Sequence, residues 1–110
     1  MGVELQPHPN FNRQLKRLRK KYKSLHDDLA LLGKQLLSNP RLGTDLGNGI
    51  YKVRMAIASK GKGKSAGARV ITYVIEERED ETIVHLLTIY DKSEIENVSD
   101  QFIQTLIKQI

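Results

Sequence analysis

The chain has no cysteine, no tryptophan and only two phenylalanines. The first absence excludes disulfides, thiolate metal sites and a cysteine nucleophile. The shortage of large aromatics leaves Leu, Ile and Val to fill the core that 110 residues allow, which is that of a single domain over residues 1–110. No run approaches the roughly 18 consecutive apolar residues of a membrane span. The opening MGVELQPHPN lacks the basic-then-apolar form of a signal peptide. These absences together lead us to expect a cytoplasmic chain with no membrane contact. Acid is also missing from one long stretch, with no Asp or Glu from Leu46 to Ile75.

What fills the acid-free stretch is positive charge. The formal net charge is +5, and it is unevenly spread. Seven Lys or Arg lie between Arg13 and Lys23, and six more between Lys52 and Arg69. Acids gather elsewhere, in the run from Glu76 to Glu81 and between Asp91 and Asp100. The first basic cluster reads equally well as a solvated helix face. The second straddles a loop and two strands, where solvation explains it less well. Cations packed this densely repel one another, and a bound polyanion, commonly nucleic acid, relieves that repulsion.

Hydrophobic periodicity sketches an α+β fold. Val3 to Leu5 reads as a short opening strand, closed by Pro7 and Pro9, with Asn10 as the expected helix cap. Phe11, Leu15, Leu18, Tyr22, Leu25, Leu29, Leu32 and Leu36 then recur at spacings of three and four, the stripe of a helix or helix pair. Ser24 is the expected cap of the second helix, and Arg41 to Gly49 reads as loop. Ile50 to Ala58 alternates as a strand, which puts Lys52 and Arg54 on one face. Lys60 to Gly67 is a loop, Ala68 to Ile75 a central strand, the acidic run a turn and Thr82 to Tyr90 a further strand. Ser93 or Ser99 caps a closing helix whose apolar face is Phe102, Ile103, Leu106, Ile107 and Ile110. Short connections predict an antiparallel, twisted sheet of three or four strands, with the helix pair packed on it and a C-terminal helix.

Several motifs weaken on inspection. ASKGKGKS at Ala58 to Ser65 satisfies a loose phosphate-loop pattern, but that loop needs a helix beginning at its Lys-Ser. Here Lys64-Ser65 leads into AGARVITYVI, a strand. His8, His26 and His85 have no metal-ligand spacing, and His85 reads as structural within IVHLLTIY. Asp27 and Asp28 suit a helix first turn. The cations remain. Lys52 and Arg54 share a face, Arg69 opens the next strand and Lys92 closes the one after it, so strand ends can gather four cations into a phosphodiester site. Arg offers paired donors to phosphate oxygens and Lys a point charge.

Three segments, FNRQLKRLRKKYKSLHDDL, NPRLGTDLGNGIYKVRMAIASKGKGKSAGARVITYV and LLTIYDKSE, resemble toxins of the RelE/ParE superfamily of bacterial type II toxin–antitoxin systems, on the RelE/HigB-like side. The resemblance spans nearly the whole chain and rests on the order of the segments. It implies a microbial-RNase-like α+β fold and a ribosome-dependent mRNA endonuclease that uses the RNA's own 2′-hydroxyl as nucleophile, without metal or other cofactor. It carries Lys52 and Arg54 onto the family's basic strand positions, Arg69 onto its strand arginine and Lys92 near its C-terminal basic position. Lys60, Lys62 and Lys64 would then track RNA backbone, ribosomal RNA included. The chain departs from the family at Val98, where some members carry a tyrosine, which leaves Tyr90 as the substitute for stacking or proton handling. The implied partners are a cognate antitoxin, the ribosome and mRNA, with DNA reached only through the antitoxin. The rival readings are a ParE-like toxin acting on DNA gyrase and a noncatalytic RNA-binding module.

Overall fold

The computed structural model describes residues 2–77 and 80–110. Its element order is β1 (Gly2–Pro7), α1 (Pro9–Lys21), α2 (Leu25–Ser38), β2 (Thr44–Gly47), β3 (Ile50–Met55), β4 (Ala68–Glu76), β5 (Glu81–Asp91) and α3 (Asp100–Lys108), with two short 3-10 turns between β3 and β4. One sheet runs in the order β1-β5-β4-β3-β2. The α+β architecture matches the sequence reading, but the sheet has five strands and is mixed. β1 lies parallel to β5, a pairing that a residue near the N-terminus finds some 80 positions away and that local periodicity cannot show. The other pairs are antiparallel.

The second correction is β2, within the segment that reads as loop. Asn48 and Gly49 turn the chain with φ of 56° and 82°, so the glycines there form a hairpin bend and Thr44–Gly47 pairs with β3. Of the acidic connection, Arg78 and Glu79 lie outside the described residues.

The break between α1 and α2 falls at Tyr22, whose extended backbone ends the first helix. The cap of α1 is His8 rather than Asn10. Pro9 takes the first helical position, where its missing N–H costs nothing. Asn10 therefore lies inside the helix, and its N–H donates to His8 Nδ1 at 3.0 Å. Ser24 flanks α2 as expected, but its hydroxyl bonds Asp28 and Ser59 and does not cap. Ser99 does cap α3, accepting from the Phe102 N–H at 3.1 Å.

Period-two alternation separates two cores, one on each face of the sheet. On one face Phe11, Leu18, Leu25, Leu32 and Leu36 of the helix pair meet Val53, Met55, Val70, Val84 and Ile89. On the other, Ile103 and Leu106 of α3 meet Ile50, Ile71, Leu87 and Tyr90. Each such fully buried aliphatic contributes about 1.5–3 kcal/mol. Helix α3 is only nine residues long, so the α3 face is incompletely covered. Lys52 and Arg54 emerge on that face. No helix among the described residues is long and apolar enough to cross a membrane.

Candidate nucleic-acid cleavage site

The register sets a row of side chains across three strands. Arg54 on β3 pairs with Arg69 on β4, and Arg69 pairs with Tyr90 on β5. Lys52 lies two residues before Arg54 and so points to the same face. Direct cross-strand partners have Cα atoms on the order of 5 Å apart, and like charges placed so are unfavourable. Among the described residues, no carboxylate forms an ion pair with Lys52, Arg54 or Arg69. The repulsion is left for something outside the chain to relieve.

The members of the row differ in exposure. Arg54 is exposed and Lys52 half-buried, while Arg69 is only 4% exposed. The Arg69 guanidinium donates to the Lys64 carbonyl at 2.9 Å, the Ser65 carbonyl at 3.2 Å and its neighbour Ala68 at 3.1 Å. Arg69 thus holds the end of the glycine-lysine loop as well as lending charge. Burial, and after it the charge of Arg54, pushes its pKa below the ordinary guanidinium value, although an arginine remains charged at any physiological pH. Tyr90 is buried, with its ring packed in the α3 core, so no ring face is free to stack on a base. Its hydroxyl points to Asn97 Oδ1 at 3.4 Å, and Lys52 Nζ donates to the same oxygen at 3.2 Å. Burial raises the Tyr90 pKa, with Arg69 opposing, so the phenol stays protonated.

Lys92 directly follows β5 and is exposed, and its backbone N–H donates to the Gly67 carbonyl at 3.1 Å. That brings the ends of β5 and of the loop together at the edge of the row. A side chain on Gly67 would collide with the Met55 carbonyl, so glycine is required where the loop closes over β3.

The loop lysines do not form one set. Lys60 turns inward to the opposite face. Its Nζ binds Asp91 Oδ1 at 2.6 Å and the Ala66 carbonyl at 2.9 Å, 5.1 Å from the centre of the Tyr22 ring. Asp91 is fully buried. Burial alone would push its carboxyl up, but hydrogen bonds from Lys60, Tyr22 and Ser93 outweigh that and hold it well below the usual carboxylate range. The loop's first residues are pinned as well, with the Ala58 N–H donating to the Asp28 carboxylate and the Ser59 N–H to Ser24 Oγ at 2.9 Å. Lys62 and Lys64 remain exposed on this braced scaffold. Lys64 begins a single 3-10 turn that leads directly into β4, so no helix N-terminus is present to hold a nucleotide triphosphate there.

Beside the row lies a cleft of about 590 Å³, lined by Lys34, Asn39, Thr44, Lys52, Arg54 and Lys64 among others, with no acid in its wall among the described residues. It exists because β2 begins at Thr44, opposite Lys52, and leaves the rest of the β3 edge unpaired. Lys34 and Asn97 carry no signal in the sequence. One is a lone lysine on an amphipathic helix, the other a polar residue in an acidic loop. His85 is buried and stacked on Tyr73 with ring centres 6.1 Å apart, and burial lowers its pKa, as befits a structural residue.

A cation row on the open face of a small α+β sheet is the arrangement of a protein that handles a phosphodiester backbone. The family described as "RelE toxin of RelE / RelB toxin-antitoxin system" matches residues 11–109, and the chain belongs to that family. It is therefore a toxin of the RelE type, the ribosome-dependent mRNA endonucleases, with a cognate antitoxin as its partner. In fold it is similar to a mutant of the E. coli toxin RelE solved in the free state, with a TM-score of 0.61 and 19% identity over 100% of this chain and 99% of that one.

Proposed function

We propose that the α3 face of the sheet is the surface on which this toxin cuts mRNA, and that Lys52, Arg54, Arg69 and Lys92 carry the reaction. One observation supports this above the others: Arg54 and Arg69 stand opposite each other with no acid among the described residues to neutralise them. A phosphodiester gains negative charge as it becomes pentacoordinate, and cations fixed before it arrives stabilise that charge without reorganising. Arg54, the exposed member, contacts the phosphate. Arg69 contributes its charge from below and keeps the loop in place.

The 2′-oxygen of the RNA attacks the adjacent phosphorus and the bond to the 5′-oxygen breaks. The products are a 2′,3′-cyclic phosphate and a 5′-hydroxyl. The Lys52 ammonium stabilises the 2′-oxygen as its proton leaves to water, and Lys92 gives a proton to the departing 5′-oxygen. No step requires a metal. Lys62 and Lys64, with Lys34 in the adjoining cleft, follow the RNA backbone. Lys60 is assigned to the scaffold, because its ammonium is engaged by Asp91.

No exposed aromatic platform lies in the row, and stacking is the usual means of gripping free single-stranded RNA. The ribosome supplies the missing grip by presenting the mRNA. The test is an mRNA carrying one 2′-deoxynucleotide on the 5′ side of the mapped cut. Loss of cleavage there, with cyclic-phosphate ends elsewhere, supports in-line attack by the 2′-oxygen. Undiminished cleavage at the deoxy position overturns it.

A further inference from the structure

The segment between β5 and α3 adds a group to this site. The Asn97 carboxamide oxygen lies 3.2 Å from Lys52 Nζ, 3.4 Å from the Tyr90 hydroxyl and 3.1 Å from the Val98 N–H. Three donors from β3, β5 and the loop itself converge on one acceptor, and that convergence dictates which end of the amide faces them. The position is backed firmly. Val98 packs against the α3 core, and Ser99, next in sequence, caps α3. A lysine side chain has four flexible carbons, and a partner is what sets its ammonium in one place.

We infer that Asn97 is a positioning residue of the cleavage site: its oxygen holds the Lys52 ammonium over the sheet face and ties it to Tyr90. The inference rests on the function proposed above. The chemistry explains why the residue is an amide. An aspartate would offer the same oxygen but would ion-pair with Lys52, cancelling one of the charges that attract phosphate. The amide positions the lysine and leaves the charge available. A buried tyrosine hydroxyl also needs a partner, and the protonated Tyr90 donates to the same oxygen without competing for the RNA. Through Tyr90, which pairs with Arg69 in the sheet, the row Lys52–Asn97–Tyr90–Arg69 becomes a connected unit.

The experiment is steady-state and single-turnover cleavage of translated mRNA by the intact chain. The variants are Asn97→Ala, Asn97→Asp, Lys52→Ala and the double variant Lys52→Ala/Asn97→Ala, with Glu96→Gln as the control outside the site. Asn97→Ala is expected to lower kcat about tenfold or more, the effect of losing a hydrogen bond to a charged group, with KM within about twofold. The double variant should be no slower than Lys52→Ala, because Asn97 acts through Lys52. Asn97→Asp keeps the turn to Val98 and is expected to raise KM by pairing with Lys52. If Asn97→Ala does not fold, Asn97→Asp decides alone, and wild-type kinetics in it overturn the inference. Wild-type kcat in a folded Asn97→Ala, or a double variant whose losses simply multiply, also overturns it. If either of those results is found together with an inactive Lys52→Ala, the proposed function stands while this inference falls. If Lys52→Ala is fully active, the proposed function fails and takes the inference with it.

Discussion

Arg54 and Arg69 are direct partners across the β3–β4 ladder, one exposed and the other buried. A like-charge pair in this position works against folding by up to about 1 kcal/mol. The arrangement is intelligible as stability given up for a field aimed at phosphate. The two arginines are not equivalent, and their substitutions should differ.

Arg54→Ala should reduce mRNA cleavage about a hundred- to thousandfold, the effect of removing a preorganised partner of transition-state charge. Its thermal stability should be unchanged or slightly raised, because a repulsion is relieved. Calorimetry alongside the cleavage assay checks both halves of the expectation.

Arg69→Ala should also reduce cleavage, but with a structural signature. It strips the Ser65 carbonyl of its side-chain donor, leaves the Lys64 carbonyl only the Gly67 N–H, and should cost about 1–3 kcal/mol. The loop should loosen locally, and limited trypsin digestion at Lys62 and Lys64 should run faster than in wild type. Arg69→Lys should retain charge but not the bonds to both carbonyls, and should show the same accelerated digestion.

Asp91→Asn tests the scaffold beneath the loop. Breaking a buried ion pair costs about 3–5 kcal/mol, because the remaining charge is left unpaired. The pH dependence has a definite sign. The folded carboxyl titrates below its unfolded value of about 3.9, so its stabilisation is complete above that pH and is lost as pH falls toward the folded value. Denaturant melts at a series of pH values from ~6 to ~2.5 should show wild type losing this contribution in acid. Asp91→Asn should be the less stable protein at pH 6 and show a flatter profile.

The cognate antitoxin should place acidic or amphipathic segments over the α1 surface from Arg13 to Lys21, the exposed cation row, or both. Arg17 and Lys21 already engage Glu94, which leaves Arg13, Lys16, Arg19 and Lys20 as the uncommitted charges of α1 among the described residues. Association should be fast and should slow as salt rises to ~0.5 M, where the Debye length is only a few ångström. A rate independent of salt would indicate apolar docking instead, around the exposed Phe102 and Ile110. Lys62→Ala alone should change toxicity little, as one exposed charge among several.

Much of this was legible in the chain. Alternation alone placed Lys52 and Arg54 on one face, and the strand after the loop put Arg69 within reach of them. What stayed hidden depends on partners distant in sequence. Nothing local says that β1 pairs with β5, or that Lys60 turns to Asp91 at the end of β5 while Lys62 and Lys64 stay in solvent. Pro9 displaced Asn10 from the cap because fixed φ outranks side-chain preference at the first helical position. Asn97 was invisible for a similar reason: its role lies in two donors brought to it from β3 and β5.

The most direct test of the central claim is the single-turnover rate of cleavage of translating mRNA by Lys52→Ala and Arg54→Ala against wild type, with folding verified for each. The account predicts wild-type cleavage that is far faster on translated than on naked RNA, and a loss of about a hundredfold or more in either folded variant. Wild-type rates in both would contradict it, and would move the catalytic surface away from the open face of the sheet.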